Sequence, residues 1–267
     1  MSKGFLWFAQ NNDTTDYVEL SIKLAESIKR WNKHNKICVI TDDHSQFESE
    51  HVDMVKVLRH DSSETHDIKW ANEHKAFELT PFIHTIKLEA DMLWTQNTDW
   101  WWYHLWQHDL VFSVDCFDYK NNVVKDRFYR QLFWRNDLPN IYNGLTYFRR
   151  SQKAKKFFDL CRGITQNWEE VRKEILFACH DKYPSTDVVY ALAYRTLDPI
   201  NKELIDYPWF KFIHNKDMIQ APWAKQVNQY LMPIRLQDKI LLGGQRINRP
   251  WHYHDKETLE QLDERTF

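Results

Sequence analysis

"HKAFELTPFIHTIKLEADMLW", residues 74–94, leads an amphipathic segment into the apolar-rich piece Ile83-His84-Thr85-Ile86-Lys87-Leu88. It then sets Glu89 and Asp91 either side of Ala90, ahead of Met92-Leu93-Trp94. The apolar piece predicts a strand over 83–88, and the residues before it a helix over roughly 70–79. On an extended chain, side chains at i and i+2 point the same way, so both carboxylates face one point in space. Acids so aimed suit Mg²⁺ or Mn²⁺, which favour oxygen ligands and keep positions open for phosphate oxygens. By itself the pair also fits a strand end with two solvated acids.

Working back towards the N-terminus, "GFLWFAQ" (4–10) reads as a buried first strand, "NNDTT" as a loop and "DYVELSIKLAESIKRWN" as a helix. Asp16 with Glu19 three residues on forms a capping-box-like start. Tyr17, Leu20, Leu24, Ile28 and Trp31 recur on one helical face. "KICVITDD" (36–43) is a second strand ending in Asp42 and Asp43, and "VDMVKVL" a third. Strand–helix alternation predicts an α/β fold with a mostly parallel central sheet flanked by helices. Ligands of such sheets sit beyond the carboxyl ends of the strands. Gln10, Asp42, Asp43, Glu89 and Asp91 are expected to converge there.

Further on, "DLVFSVD" (109–115) reads as a strand, and "NIYNGLTYFRR" (140–150) as a tight Asn143-Gly144 turn into a strand. A helix is expected from about 151 and another after "PSTD" (184–187). "WFKFIHNK" (209–216) reads as another strand, and no internal repeat or linker interrupts the chain.

At 267 residues, 43% apolar and 28% charged, the chain is globular and long enough for a buried core. No apolar run is long enough for a membrane span or a signal h-region, so a cytoplasmic protein without membrane contact is expected. Cys38, Cys116, Cys161 and Cys179 are far apart and form no CxxC pair. They suit a reducing compartment and neither a disulfide framework nor a zinc knuckle. Glycine numbers only 5, and neither GxGxxG nor GxxxxGK[ST] occurs, which removes the usual phosphate-cradling turns.

Net charge is −2, yet residues 120–156 hold ten basic residues against two acidic ones. A local excess of this kind attracts a polyanion. Within it, "YKNNVVKDRFYRQLFWR" interleaves arginines with Phe128, Tyr129, Phe133 and Trp134. Basic groups suit phosphates and aromatic faces suit bases, while an amphipathic helix with a solvated basic face is the plainer alternative.

The block 74–94 resembles the lysine–helix–strand–DxD block of GT-A glycosyltransferases, particularly the glycogenin-like (family 8) group. "FAQNNDTTDYVELSIKLAESIKR" is similar to that group's nucleotide-binding strand, loop and helix. "VFSVD…NIYNGLTYFRRS" is similar to its strand pair with an Asn-Gly turn, and "STDVVYAL" to its Asp-bearing helix start. These blocks cover about two thirds of the chain in the family's order. Two departures stand out. The DxD is Glu-Ala-Asp, and the late His-x-x-Gly-x-x-Lys-Pro-Trp is not cleanly present.

The resemblance implies a single GT-A domain, with 1–100 the nucleotide-sugar half and 101–267 the acceptor half and closing segment. It implies a metal-dependent transfer of sugar from a nucleotide-sugar, in first place a UDP-sugar, to a hydroxyl. Glu89 and Asp91 would hold the cation, with His214 favoured as third ligand. The alternatives Arg249, Trp251, His252 and His254 would close over the donor, as would Lys216. Tyr17 would stack on the base, or else serve only as its helix's first core contact. Lys75 would hold a donor phosphate or lie solvated, and Asp42 would contact ribose or only shape its turn. With Gln10, Asn143 and Gly144 these make the donor set. Asp187 would reach the sugar, or simply cap its helix, and Asp115 is the second catalytic candidate. Arg127, Arg130, Trp134 and Arg135 are the acceptor candidates. Trp100–Trp102 and Trp106 pack in the core or wall the acceptor side.

The compact, Trp- and Tyr-rich chain also resembles small glycosyltransferases of T-even-like phages. That implies a hydroxymethylated pyrimidine in double-stranded DNA as acceptor, with glucose or arabinose transferred. A glycan or lipid-linked acceptor, and a nucleic-acid-binding protein that is no enzyme, are the competing readings. Family-8 resemblance leans towards retention of configuration.

Overall fold

The computed structural model describes residues 2–63, 68–124, 130–198, 204–214, 233–236 and 239–253. Lys216, Arg127 and His254 lie outside them. Strand β1 (Lys3–Ala9) is followed by helix α1 (Tyr17–Trp31), β2 (Lys36–Thr41) and β3 (Met54–Val57). Asp16 caps α1 as expected, its carboxylate accepting from Glu19 N at 3.0 Å. A 3₁₀ segment (Lys69–Lys75) and short helix α2 (Ala76–Leu79) stand where one helix over 70–79 is expected. β4 (His84–Leu88) and β5 (Met92–Leu93) bracket the Glu-Ala-Asp.

Beyond these come α3 (Trp101–Leu105), β6 (Leu110–Ser113), α4 (Gln131–Arg135), β7 (Tyr142–Arg149) and α5 (Gln152–Gln166). A one-turn α6 (Trp168–Glu170), α7 (Thr186–Leu197), and strands β8 (Pro233–Leu236), β9 (Lys239–Leu242), β10 (Gln245–Ile247) and β11 (Trp251–His252) complete the order.

Among the described residues, a six-stranded sheet has the order β3-β2-β1-β4-β7-β6. β3, β2, β1 and β4 are parallel, and β7 runs antiparallel between β4 and β6. The central strands read as apolar runs because both faces are covered. Along β1, Phe5, Trp7 and Ala9 face the layer that contains Leu24 and Ile28 of α1, Trp101 of α3, Phe210 and Phe212. Leu6 faces the opposite layer, with Ala76 of α2, Phe157 and Phe158 of α5 and Tyr190 of α7. Each such aliphatic or aromatic side chain contributes roughly 1.5–3 kcal/mol by leaving water.

Two sequence expectations need correction. Asn143-Gly144 is no tight turn. Both residues belong to β7, beside a register shift opposite Phe112 and Ser113. The described part of 209–216 is no strand either. Ile213 makes single bridges to Phe117 and to Trp251, so the segment threads between the Phe117 loop and β11 rather than joining a ladder. None of the described helices is long and apolar enough to cross a membrane.

Candidate functional site

The acids of the opening stretch leave β4 at the carboxyl edge of the sheet, and β11 returns to meet them. It pairs antiparallel with β5, His252 opposite Met92, and Tyr253 N donates to Asp91 O at 3.2 Å. His252 therefore lies between the carboxylates, with Nδ1 3.2 Å from Glu89 Oε2 and Nε2 3.2 Å from Asp91 Oδ1. One ligand atom from each of Glu89, Asp91 and His252 falls within 4.8 Å of the others. Two carboxylates and an imidazole fit a divalent cation of the Mn²⁺ or Mg²⁺ type.

His214, the expected third ligand, stands one layer back. Its ring stacks on His252 at 4.3 Å and 19°, and its backbone N–H donates to Phe117 O. The β5–β11 pairing, invisible in a local reading of the sequence, is what brings His252 forward instead. Gly144 lies against the same group. A Cβ there would come within 3.0 Å of Glu89 Oε2 and 3.5 Å of Phe212. Its φ is not positive, so glycine is needed for close approach rather than for an unusual backbone angle. Tyr17 opens α1 near the same acids. Burial raises its hydroxyl pKa, and the charge of Glu89 raises it further.

Further along the edge, Gln10 donates to Asp42 Oδ2 (3.0 Å) and Asp61 Oδ2 (2.8 Å) and accepts from Asn72 (2.9 Å). Lys69 Nζ stands 3.6 Å from Asp42 and 3.5 Å from Asp61. Asp42 also accepts from His44 N and Ser45 N, which makes it a turn-former in this structure. Asp43 is exposed. Burial would raise the Asp61 carboxyl, but hydrogen bonds from Ser63 and Asn72 and the Lys69 charge outweigh it and hold it at about 2. Lys75 stands on the opposite side of Asn72 from the Gln10 contact. It donates to His60 O and to Asn72 Oδ1 at the mouth of a cleft of about 630 Å³ that Arg150, Lys155 and Arg162 also line.

On the α7 side, Asp187 does not cap its helix. Its Oδ1 accepts from Asn143 N (2.8 Å) and its Oδ2 from Arg130 Nη2 (2.7 Å). Arg130, expected on the acceptor surface, is buried instead. Its second nitrogen donates to Ile141 O at 2.9 Å, and its guanidinium stacks 3.5 Å from the Tyr142 ring and 4.2 Å from Phe133. Asp115 accepts from Asn140 at 2.8 Å. Burial raises its carboxyl, Lys211 acting against the shift. Trp134 is 60% exposed on α4, and Arg135 is exposed beside it. Trp101 and Trp102 are core, while Trp100 and Trp106 stay about half exposed.

The sequence alone does not flag Asp61, Lys69 and Asn72; Asp61 falls in the loop four residues beyond the end of β3. That position was the available signal.

This topology, with its carboxylate pair at the end of a central parallel strand, is that of a GT-A-like fold. Galactosyltransferase LgtC, solved with donor and acceptor sugar analogs, is similar with a TM-score of 0.53 at 14% identity, over 94% of this chain and 87% of that one. Mouse xyloside xylosyltransferase 1 is similar with a TM-score of 0.55 at 9% identity, over 95% of this chain and 98% of that one. At such identities the likeness is one of fold. No protein-family model and no curated protein matches the sequence.

Proposed function

We propose that this chain is a metal-dependent glycosyltransferase, moving a sugar from a nucleotide-sugar, in first place a UDP-sugar, to an acceptor hydroxyl. The observation that carries the reading is the Glu89–Asp91–His252 group, within 4.8 Å, at the carboxyl edge of a GT-A-like sheet. A divalent cation bound there supplies positive charge against the departing diphosphate. Glu89, Asp91 and His252 hold it, and Gly144 leaves room for the donor beside Glu89. Asp187, fixed by Arg130 and Asn143 N, orients the sugar. Asp115 is the second carboxylate available to sugar or acceptor. Tyr17, Gln10 and Lys69 serve the nucleoside end. In this reading residues 1–100 form the nucleotide-sugar half and 101–267 the acceptor half with the closing segment that brings His252 back, in the reducing cytoplasm that four free buried cysteines suit.

The acceptor is the finer question. Of the ten basic residues of 120–156, Arg130 is ion-paired with Asp187, Arg149 with Asp109 and Lys155 with Asp159. A hydroxymethylpyrimidine in DNA keeps as support the exposed Trp134 and Arg135. A glycan hydroxyl needs no such charge.

The test is thermal unfolding with UDP-glucose, UDP-galactose and UDP, with and without Mn²⁺. At 100 times its dissociation constant, a ligand binding only the folded state stabilises it by about 2.7 kcal/mol. Stabilisation that needs both nucleotide and metal supports the reading; none with any donor sinks it. Hydroxymethylated duplex and oligosaccharides, offered separately with a binding donor, then distinguish the acceptors by mass.

A further inference from the structure

Beneath the carboxylates lies a set of buried polar groups that the proposed reaction does not yet use. Lys87, on β4 two residues before Glu89, is wholly buried and ion-paired with Glu73 of the 3₁₀ segment. Glu73 Oε2 is buried with it, so the 13% of that side chain still open is what a ligand can meet. Tyr190 of α7 lies over the pair, its ring 5.6 Å from Lys87 Nζ. It is 1% exposed, and its hydroxyl has no hydrogen-bond partner among the described residues. Tyr190 follows Asp187 by three residues on the same helix, so the two side chains share one side of α7, with Lys87 below the ring. Asn143, whose backbone binds Asp187, likewise has a carboxamide that is 1% exposed with neither atom bonded.

Such groups are costly. A buried hydroxyl or amide left unpaired loses about 1–3 kcal/mol, and native proteins keep few of them. Phenylalanine at 190 would fill the same space without that loss. Groups retained at such a cost, together and beside a reaction site, point to a ligand that satisfies them. The chemistry narrows the ligand. Lys87 is neutralised by Glu73, so the floor carries no net charge for a phosphate. A hydroxyl, an amide and a carboxylate edge offer mixed donors and acceptors, which match a polyol.

We propose that Tyr190 and Asn143, backed by the Glu73–Lys87 pair, form the floor on which hydroxyls of the transferred sugar are read, with Tyr190 a specificity-determining residue. This rests on the glycosyltransferase reading and deepens it. Glu73 and Lys87 act as positioning residues that fix the floor.

The experiment compares wild type, Tyr190→Phe and Glu73→Gln in three measurements: the melting temperature, the Kd of UDP with Mn²⁺, and kcat/KM for sugar release from UDP-glucose and UDP-galactose. Tyr190→Phe is expected to keep or raise the melting temperature and leave the UDP Kd within about twofold. It should change the glucose-to-galactose ratio of kcat/KM about tenfold, the equivalent of one hydrogen bond of about 1.4 kcal/mol. Glu73→Gln, which keeps the shape, should shift the same ratio in the same direction. A lowered melting temperature with an unchanged ratio in both variants would overturn the proposal while leaving the enzyme reading intact. Wild type that neither binds UDP with Mn²⁺ nor releases sugar from either donor would instead remove both.

Discussion

His252 bridges Glu89 and Asp91, 3.2 Å from each, and thereby joins the tail of the described chain to the strand end that carries the acids. One ligand atom from each of the three residues lies within 4.8 Å of the others, a grouping that could hold a cation. In the proposed reading these three ligands come from two distant stretches, and the site fails as a unit. Asp91→Asn and His252→Ala are each expected to abolish the Mn²⁺-dependent part of UDP stabilisation while leaving the metal-free melting temperature within a few degrees. Differential scanning fluorimetry with and without Mn²⁺ measures both numbers. His214→Ala, one layer back, should weaken the metal effect without erasing it.

Arg130 and Asp187 form a second fixed pair, 2.7 Å apart, with side chains only 5% and 15% exposed. Removing one partner of a buried pair leaves the other charge uncompensated, at roughly 3–5 kcal/mol. Arg130→Met should therefore cost stability of that order in urea unfolding. The double variant Arg130→Met, Asp187→Asn should recover part of it. Recovery of stability without recovery of transfer would separate the fold role of the pair from its role at the sugar.

Gly144→Ala puts a methyl 3.0 Å from Glu89 Oε2. A carboxylate can yield a few tenths of an ångström, so the fold should survive with near-normal melting. A yielding Glu89 is a displaced ligand, however. Mn²⁺ affinity, titrated calorimetrically in the presence of UDP, is expected to fall several-fold.

His74 links stability to pH. Burial, with Lys75 adding to it, lowers its pKa to about 4, whereas an unfolded histidine titrates near 6.5. Between those values the unfolded chain binds the extra proton, so stability falls as pH drops from about 6.5 to 4 and levels off below. His84 and His108 are shifted the same way by burial. His74→Gln should flatten the upper part of the melting-temperature profile, and a profile identical to wild type would show that His74 is not the linked group.

What could be read from the sequence was whatever depends on neighbours in the chain. The apolar runs of β1, β2 and β4 and the Asp16 cap state their own structure, and the spacing of Glu89 and Asp91 states theirs. The parts that could not be read there depend on distant partners. His214 and His252 look alike in sequence, and only the pairing of β5 with β11 separates them. Arg130 sits in a basic stretch that suggests solvent, yet Asp187, Phe133 and Tyr142 draw it inside. Asn143-Gly144 has turn composition, but β7 runs on through it between β4 and β6.

The antiparallel clasp of β11 on β5 also sets a schedule. A nascent chain can complete the sheet and set Glu89 and Asp91 in place well before Trp251 and His252 leave the ribosome, because the strands of that sheet all precede them. In the proposed reading cation capture therefore waits for β11, and a fragment cut short before it would carry Glu89 and Asp91 without their imidazole partner.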